Sequence, residues 1–505
     1  MEYTTHYVVN PNYVLLNDIK RVLLINTSER EFDANIPCEA KVETFIHPLQ
    51  AQMLAFFNGQ DDLNTIIQLL SKHFDLEIED VIQIIQKFIE NPHSLSLNST
   101  DQTIYFPKNI LVPKNTVKTY REYHPTDFPF SGEVDFLSKR YYIPRNFAFV
   151  LSTKCYTNCI YCYADRTYKY NQKLSYDRII QLVDEIETLG GCIRLDLSGG
   201  DILMDHDNVR FIKYIVSKGY QPGVSTKYPL SEVQVNLIAD TGLEMLQISL
   251  DSSSPERIKE LLQISNEDYY EKILRTMSYF NQTHIKIRIH VILTSLNCET
   301  AALKILINNL AYFNCVKTIH FTPMFYSLFK RDAQNQRLKP HAVDLNEIYE
   351  LIESYKRIYP NISFVMDLPM FLRQDYANPE KKLDLYRHRV RCSGNERSMV
   401  ILPDGKVTVC EEMYWHPKFI IGDVTEQSII EVWHSEKALK LHHFSQNDIS
   451  EKSACKTCLD FNECRGEGQP ICWKQVQYFY GRINWDFPYP SCEKAPTPIH
   501  NCLIE

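Results

Sequence analysis

No stretch of the sequence is apolar for long enough to cross a bilayer, and its opening residues, M-E-Y-T-T-H-Y, lack the basic and apolar regions of an export signal. Both absences imply a cytosolic protein without membrane contact. A basic excess is missing too. The formal charge of −9 over 505 residues argues against nucleic acid as the main partner, because phosphate binding normally comes with a basic surface. What is present is an ordinary soluble composition, 44% hydrophobic and 23% charged, in a chain long enough for roughly two to four domains with full cores. It also holds fifteen cysteines. Without an export signal, these point to metal ligation rather than to disulfides.

The cysteines begin to fall into place at Leu151 to Tyr163, L-S-T-K-C-Y-T-N-C-I-Y-C-Y. Here Cys155, Cys159 and Cys162 stand at C-x3-C-x2-C directly after an apolar run, Phe147 to Leu151, that reads as a strand. Three closely spaced thiolates can hold three corners of an iron–sulfur cube and leave the fourth iron without a protein ligand. A structural zinc knuckle would want a fourth nearby Cys or His and paired C-x2-C units, and none is adjacent. With Tyr161 just before the last cysteine, the segment resembles the radical SAM enzymes. That resemblance implies a [4Fe–4S] cluster whose open iron chelates S-adenosylmethionine (SAM) and cleaves it to a 5'-deoxyadenosyl radical. It also implies an external electron donor such as flavodoxin or ferredoxin.

Beyond residue 146, strands and helices alternate. Strands are expected near Phe147–Leu151, Ile193–Leu197, Pro222–Ser225, Met245–Leu250, Ile285–Leu293 and Val316–Phe321. The clearest helix, Tyr176–Leu189, has Ser175 as N-cap and Gly190 as its stop. The fold class is therefore α/β, a partial (β/α)6 barrel over 146–322 with its site at the C-terminal strand ends. Ser198-Gly199-Gly200-Asp201, after the second strand, resembles the family's Gly-Gly-Glu motif, whose backbone binds the methionine amino group of SAM. Asp201 replaces the usual Glu and Ile202 the usual Pro; alone, G-G-D would be a turn. Ser225 and Ser249 match positions that reach the SAM ribose or carboxylate in relatives. On the fifth strand Lys286, Arg288 and His290 alternate with Ile285, Ile287, Ile289 and Val291. This basic face meets SAM carboxylate or substrate if it points inward, and is otherwise a solvated edge.

In the first 95 residues, Tyr13–Leu16 and Arg21–Ile25 read as a hairpin and Ala40–Ile46 as a third strand. Pro48–Phe57, Leu63–Phe74 and Ile78–Ile89 read as three helices. This N-terminal winged-helix-like domain resembles the RiPP recognition element, in which the leader of a precursor peptide adds beside the third strand and against the third helix. The competing reading is a DNA-binding winged helix, poorly supported by one Lys and no Arg in the second helix. Residues 96–145 read as a linker with an extra helix around Val134–Arg140. Residues 323–391 read as a bridge, with a helix Leu345–Ile358 opened by Asp344 and an apolar stretch Ile362–Met366.

In residues 392–505, Cys392, Gly405 and Cys410 form C-x12-G-x4-C. Cys455, Cys458, Cys464 and Cys472 form C-x2-C-x5-C-x7-C, and Cys492 follows. This pattern resembles the SPASM extension of radical SAM enzymes, with the hairpin Val400–Val407 presenting the first pair; a two-zinc fold is the alternative. Carried over by position, two auxiliary iron–sulfur clusters are implied, one on Cys392, Cys410 and Cys472 and one on Cys455, Cys458, Cys464 and Cys492. The x7 spacing is longer than usual. No cysteine stands between 392 and 410, so one iron of the first cluster is open, or filled by Cys502 or a carboxylate. Glu411 follows Cys410 where sulfatase maturases of the family place a catalytic base, and is a candidate base or a solvated acid. Cys38, Cys192, Cys298 and Cys315 fit no cluster spacing and read as core thiols.

Together these resemblances imply a radical SAM/SPASM peptide maturase. It would bind a precursor by its leader and form crosslinks in the core peptide, foremost thioethers from cysteine sulfur to carbon. The alternatives are carbon–carbon or carbon–oxygen crosslinking, epimerisation, sulfatase maturation, and a non-catalytic peptide-binding subunit.

Overall fold

The computed structural model describes residues 2–27, 36, 38–39, 41–89, 91–98, 103–165, 170, 173–330, 332–368, 372–466 and 471–505. The chain forms two units, residues 1–145 with 186–193, and residues 146–185 with 194–505. Among the described residues no helix is long and apolar enough to cross a membrane.

In the first unit, strands β1 (Tyr7–Val9), β2 (Tyr13–Asn17), β3 (Val22–Asn26) and β4 (Glu43–Ile46) precede helices α1 (Pro48–Ala55), α2 (Leu63–Phe74) and α3 (Ile78–Ile89). Strands β5 (Leu95–Asn98), β6 (Thr103–Phe106) and β7 (Leu111–Pro113) follow. The expected hairpin is β2–β3, and β4 completes an antiparallel sheet of which it is an edge; Ala40 of the expected third strand lies outside the described residues. α2 starts where Asp62 accepts from Thr65 N at 2.8 Å, and ends at Asp75 in the left-handed region. Its Leu63, Ile66, Ile67 and Leu70 share a core with Val81, Ile85 and Phe88 of α3 and with Leu15, Val22 and Leu24 of the sheet. Each such buried side chain contributes about 1.5–3 kcal/mol.

Residues 96–145 are not a free linker. Ile104, Phe106, Ile110, Leu111 and Phe128 belong to the same core, and β7 pairs with β1. No helix forms over 134–140, and the reason lies in Arg21. This buried residue, paired with Asp18 at 2.9 Å, donates to the carbonyls of Asp135 (3.3 Å), Ser138 (2.5 Å) and Arg140 (3.0 Å). Carbonyls so engaged are not available to amides four residues on.

In the second unit, β8 (Asn146–Ser152), β9 (Arg194–Gly199), β10 (Ser225–Thr226), β11 (Met245–Ser249), β12 (Lys286–Leu293) and β13 (Val316–Pro323) are the six expected strands. A further strand, β14 (Ser363–Met366), lies parallel to β13, so the apolar stretch of the presumed bridge extends the barrel. Helix Ala342–Ile358 begins earlier than expected, at His341, whose N–H donates to Asp344 at 3.4 Å. The order β10-β11-β12-β13-β14 is parallel throughout and meets β9 where Leu197 N donates to Gly223 O at 3.1 Å. The barrel is open on its other side. There β15 (Ser398–Ile401), β16 (Lys406–Thr408) and β17 (Ile420–Asp423) continue the sheet, with β15 hydrogen-bonded parallel to β8 and Ser398 opposite Asn146. The expected cysteine-bearing hairpin is β15–β16, built as an extension of the barrel sheet.

Candidate active site

Cys155, Cys159 and Cys162 lie on the loop that leaves β8, and the end of β9 is bonded directly to that loop. Gly200 N donates to Ser152 O at 2.6 Å and Asp201 N to Lys154 O at 2.7 Å. A Cβ on Gly199 or Gly200 would strike the main chain of Ser152 or Lys154, and Gly199 has φ +120°, which explains the pair of glycines. With those amides used, the turn presents carbonyl oxygens, the acceptors that an ammonium group requires. Asp201 is 6% exposed and is committed to the strand ends: its carboxylate accepts from Thr226 Oγ1 (2.7 Å) and Lys227 N (2.8 Å). Burial raises its pKa and these bonds oppose the rise.

Tyr161 is buried and its hydroxyl donates to Asp251. Asp251 also pairs with Lys227 Nζ at 3.1 Å and accepts from Ile292 N at 2.8 Å. Thr157 Oγ1 stands 3.1 Å from Cys159 Sγ. The cysteine loop is thus tied to the ends of β10, β11 and β12.

Across the sheet, Ser225, Gln247, Arg288 and Thr318 stand side by side, and Ser249, His290 and His320 form a second row. Both rows face away from Ile287, Ile289 and Val291, which are fully buried, and β12 is central in its sheet. The basic face therefore looks into the barrel. Arg288 Nε is buried without a hydrogen-bond partner. His290 Nε2 is 2.9 Å from Thr322 Oγ1, which donates to Asp367 at 2.6 Å, and His320 Nε2 lies 3.0 Å from the other Asp367 oxygen.

Burial, helped by His320 and Lys227, lowers the His290 pKa to about 4. The unfolded chain then binds this proton preferentially between pH 6.5 and 4, so the stability His290 confers is complete above that window and falls as pH drops through it. We expect about 2 kcal/mol less unfolding free energy at pH 5 than at pH 7 from this residue. Urea denaturation of the wild type and His290→Gln at both pH values checks this; equal pH sensitivity of the two would refute it.

Cys392 is close to Cys472, and Lys474 is close to both Cys410 and Cys472. Burial pushes Cys392 up to about 12 and raises Cys410 and Cys472 as well. Thiols so placed ionise only with a cation among them, a condition that cluster iron meets. Beside them the two glutamates diverge. Glu411 accepts from Ser198 Oγ (2.9 Å) and Tyr163 OH (2.7 Å), joining the end of β9 and the radical-site loop to Cys410. Glu412 is 1% exposed, pairs with Lys474 at 2.9 Å and accepts from Tyr478 OH at 3.0 Å. Burial pushes it up to about 7 against the pull of Lys474. Cys502 Sγ donates to Tyr478 O at 3.1 Å, an engagement away from the three cysteines.

Cys492 is raised first by burial and then by the nearness of Cys464, Cys455 and Cys458; among the described residues no three His, Cys, Asp or Glu side chains are gathered as a single metal ion would need. Arg465 Nη1 lies 3.4 Å from Cys455 Sγ, Lys494 Nζ 3.3 Å from Cys458 Sγ, and Arg389 Nη2 3.8 Å from Cys464 Sγ. Arg465 is 2% exposed and bonds otherwise only to backbone carbonyls; among the described residues no carboxylate lies within ion-pair reach of it. A buried cation costs several kcal/mol unless a negative charge faces it, a charge that cysteine thiolates holding a cluster there would supply. None of the fifteen cysteines is joined in a disulfide. Cys298 and Cys315 are buried, donating to Thr294 O and Met277 O, whereas Cys38 and Cys192 are half-buried rather than core.

A small open pocket lies at the C-terminal ends of β13 and β14. It is lined among others by Met324, Phe325, Asp367, Leu368, Tyr478 and Cys502. Tyr478 thus forms its wall on one side and reaches Glu412 on the other. Sequence spacing did not single out Tyr163, Lys474, Tyr478 or Arg465; three of them stand within two residues of a motif cysteine, the one signal that could have flagged them.

Residues 149–301 match the radical SAM superfamily and residues 392–459 the SPASM iron–sulfur cluster-binding domain. The chain is 20% identical to the PqqA peptide cyclase of Methylocella silvestris over 282 residues, 54% of this chain and 70% of that protein. It is 26% identical to the GTP 3',8-cyclase of Clostridium perfringens over 41% of this chain and 62% of the relative. In fold it is similar to Streptococcus suis SuiB bound to S-adenosylmethionine, with TM-score 0.62 and 14% identity over 96% of this chain and 100% of that one. SuiB bound to its precursor peptide SuiA gives TM-score 0.60 at 13% identity, again over 96% and 100%. Through these two matches the chain is an enzyme that carries a radical SAM domain and a SPASM domain, with S-adenosylmethionine, a radical SAM [4Fe–4S] cluster and auxiliary iron–sulfur clusters as the cofactors of those domains.

Proposed function

We propose that this enzyme matures a ribosomally made precursor peptide, forming thioether crosslinks between cysteine sulfur and carbon in its core. The observation that carries the reading is the pocket at the barrel mouth, whose Tyr478 wall is hydrogen-bonded to Glu412 beside Cys410. A residue seated there would meet Tyr478, which reaches Glu412, the second residue after Cys410. The leader would add to the edge of β4, where strand addition gives affinity and side-chain pockets give choice of partner.

When bound, the radical SAM cluster and SAM supply a 5'-deoxyadenosyl radical able to take a hydrogen atom from a core residue. Cys155, Cys159 and Cys162 hold that cluster, and Tyr161, through Asp251, braces their loop. The carbonyls of the Ser198-Gly199-Gly200-Asp201 turn receive the methionine ammonium; Arg288, Ser225 and Ser249 receive its carboxylate and the ribose. Cys392, Cys410 and Cys472 hold one auxiliary cluster, leaving room for the thiolate of a substrate cysteine, because Cys502 and Glu412 are engaged elsewhere. Glu411, fixed by Ser198 and Tyr163, takes the thiol proton. Cys455, Cys458, Cys464 and Cys492 would hold the second auxiliary cluster; an external donor such as flavodoxin or ferredoxin would bring the electron that cleaves SAM, and the auxiliary clusters would accept the electron released when sulfur joins carbon.

The test is mass spectrometry of a cysteine-containing precursor after anaerobic incubation with the reconstituted enzyme, SAM and a reductant. A loss of two hydrogens per crosslink, with the cysteines newly resistant to alkylation, is expected. The same peptide without its leader should react at least ~100-fold less efficiently, the loss of a strand-sized docking segment. Mass loss with every thiol still alkylatable would replace the thioether with a carbon or oxygen crosslink.

A further inference from the structure

We infer that Arg465, assisted by Lys494 and Arg389, holds the reduction potential of the four-cysteine cluster above the value that the cysteines alone would give. The inference rests on a cluster at Cys455, Cys458, Cys464 and Cys492. One-electron reduction adds a negative charge to a centre that four thiolates already make negative. Cations and hydrogen bonds at the sulfurs favour the reduced form, and they are among the means by which a protein sets such a potential. Here three of the four sulfurs each face a cation, at 3.4 Å (Arg465 to Cys455), 3.3 Å (Lys494 to Cys458) and 3.8 Å (Arg389 to Cys464). Tyr386 OH adds a hydrogen-bonding group 2.9 Å from Cys464.

The three cations are not equivalent. Arg465 is buried, clamped by the carbonyls of Trp485 (3.4 Å), Asp486 (2.6 Å) and Phe487 (2.9 Å), and no carboxylate among the described residues neutralises it. Its whole charge therefore falls on the cluster, in surroundings of low dielectric constant. Lys494 is 38% exposed at its side chain and shares its ammonium with Asp460 at 3.0 Å. Asp460 offsets part of its effect, and the rest is open to screening by salt. The surroundings of the three-cysteine site differ, with Glu411 and Glu412 adjoining Cys410 and Lys474 the cation between them. Arg465 is thus a positioning residue for the electronics of one cluster, and reaches neither SAM nor peptide.

The experiment is an EPR-monitored redox titration of the reconstituted full-length chain as wild type, Arg465→Met, Arg465→Lys and Lys494→Met, each at low and high ionic strength. Iron and sulfide are quantified for every sample. Arg465→Met should shift one auxiliary midpoint to more negative potential, by a similar amount at both ionic strengths. Arg465→Lys should recover most of that shift. Lys494→Met should give a smaller negative shift that fades at high salt, and the radical SAM cluster should not move. Unchanged midpoints in Arg465→Met with full iron content would overturn the inference and leave the cluster assignment standing. Should Arg465→Met fail to fold, Arg465→Gln and Lys494→Met carry the test, and wild-type potentials in both at low ionic strength would likewise overturn it. Iron and sulfide unaltered by Cys492→Ala, with no EPR signal lost, would overturn the cluster assignment itself.

Discussion

Cys155→Ala is expected to abolish reductive cleavage of S-adenosylmethionine, to below the detection limit of a 5'-deoxyadenosine assay, while leaving most of the protein folded. The thiol lies on the loop after β8, whose backbone is held by Gly200 and Asp201 and not by the cysteine side chains. Its removal leaves two protein ligands for a cube that needs three, and the chemistry requires the iron left open by the third. The loss should therefore be local. If each of the three sites takes a four-iron cluster, the variant should retain about two thirds of the wild-type iron, because the auxiliary cysteines are carried by other elements. A variant that kept SAM cleavage would move the radical site elsewhere. One that lost all its iron would mean that the three sites assemble as a unit.

Gly200→Ala tests the motif next to that loop. A Cβ there would collide with the carbonyl of Lys154, and that carbonyl belongs to the chain running into Cys155, so neither strand end can give without displacing a cluster ligand. Overpacking of this kind costs about 1–3 kcal/mol in stability. The larger effect should be on function, since a misplacement of about 1 Å at reacting groups can lower rates about 100-fold. We expect the SAM dissociation constant to rise at least ~10-fold and deoxyadenosine formation to fall by about two orders of magnitude. Isothermal titration with SAM and the thermal midpoint, measured on the same sample, separate the two. A weakened midpoint with unchanged SAM affinity would mean that the glycine serves packing alone.

Several features of the site were legible in the order of residues because they depend on local spacing. The C-x3-C-x2-C loop after an apolar strand, the glycines after the next strand and the Pro403-Asp404-Gly405 turn each need only a few consecutive side chains of the right kind. The six barrel strands and α2 and α3 followed from periodicity for the same reason. Features that depend on long-range partners were not legible. Residues 134–140 carry a helix-like pattern, yet their carbonyls are taken by Arg21, more than a hundred positions away. Asp201 could be placed by its motif, but its bonds to Thr226 and Lys227 depend on where β10 ends.

By itself the sequence determined the chemistry available to this protein: the spacing of its cysteines, the strand that precedes the first three, and the alternation that makes an open parallel barrel. The tertiary structure alone decided how these groups face one another. The pairing of β15 with β8 sets the hairpin that lies between Cys392 and Cys410 in hydrogen-bonded register with the strand that leads into the Cys155–Cys162 loop. The meeting of Ser198, Tyr163 and Glu411 follows from that pairing. Local propensity cannot encode such a register, because its energy arises only when strands some 250 residues apart exchange their solvent bonds for one another.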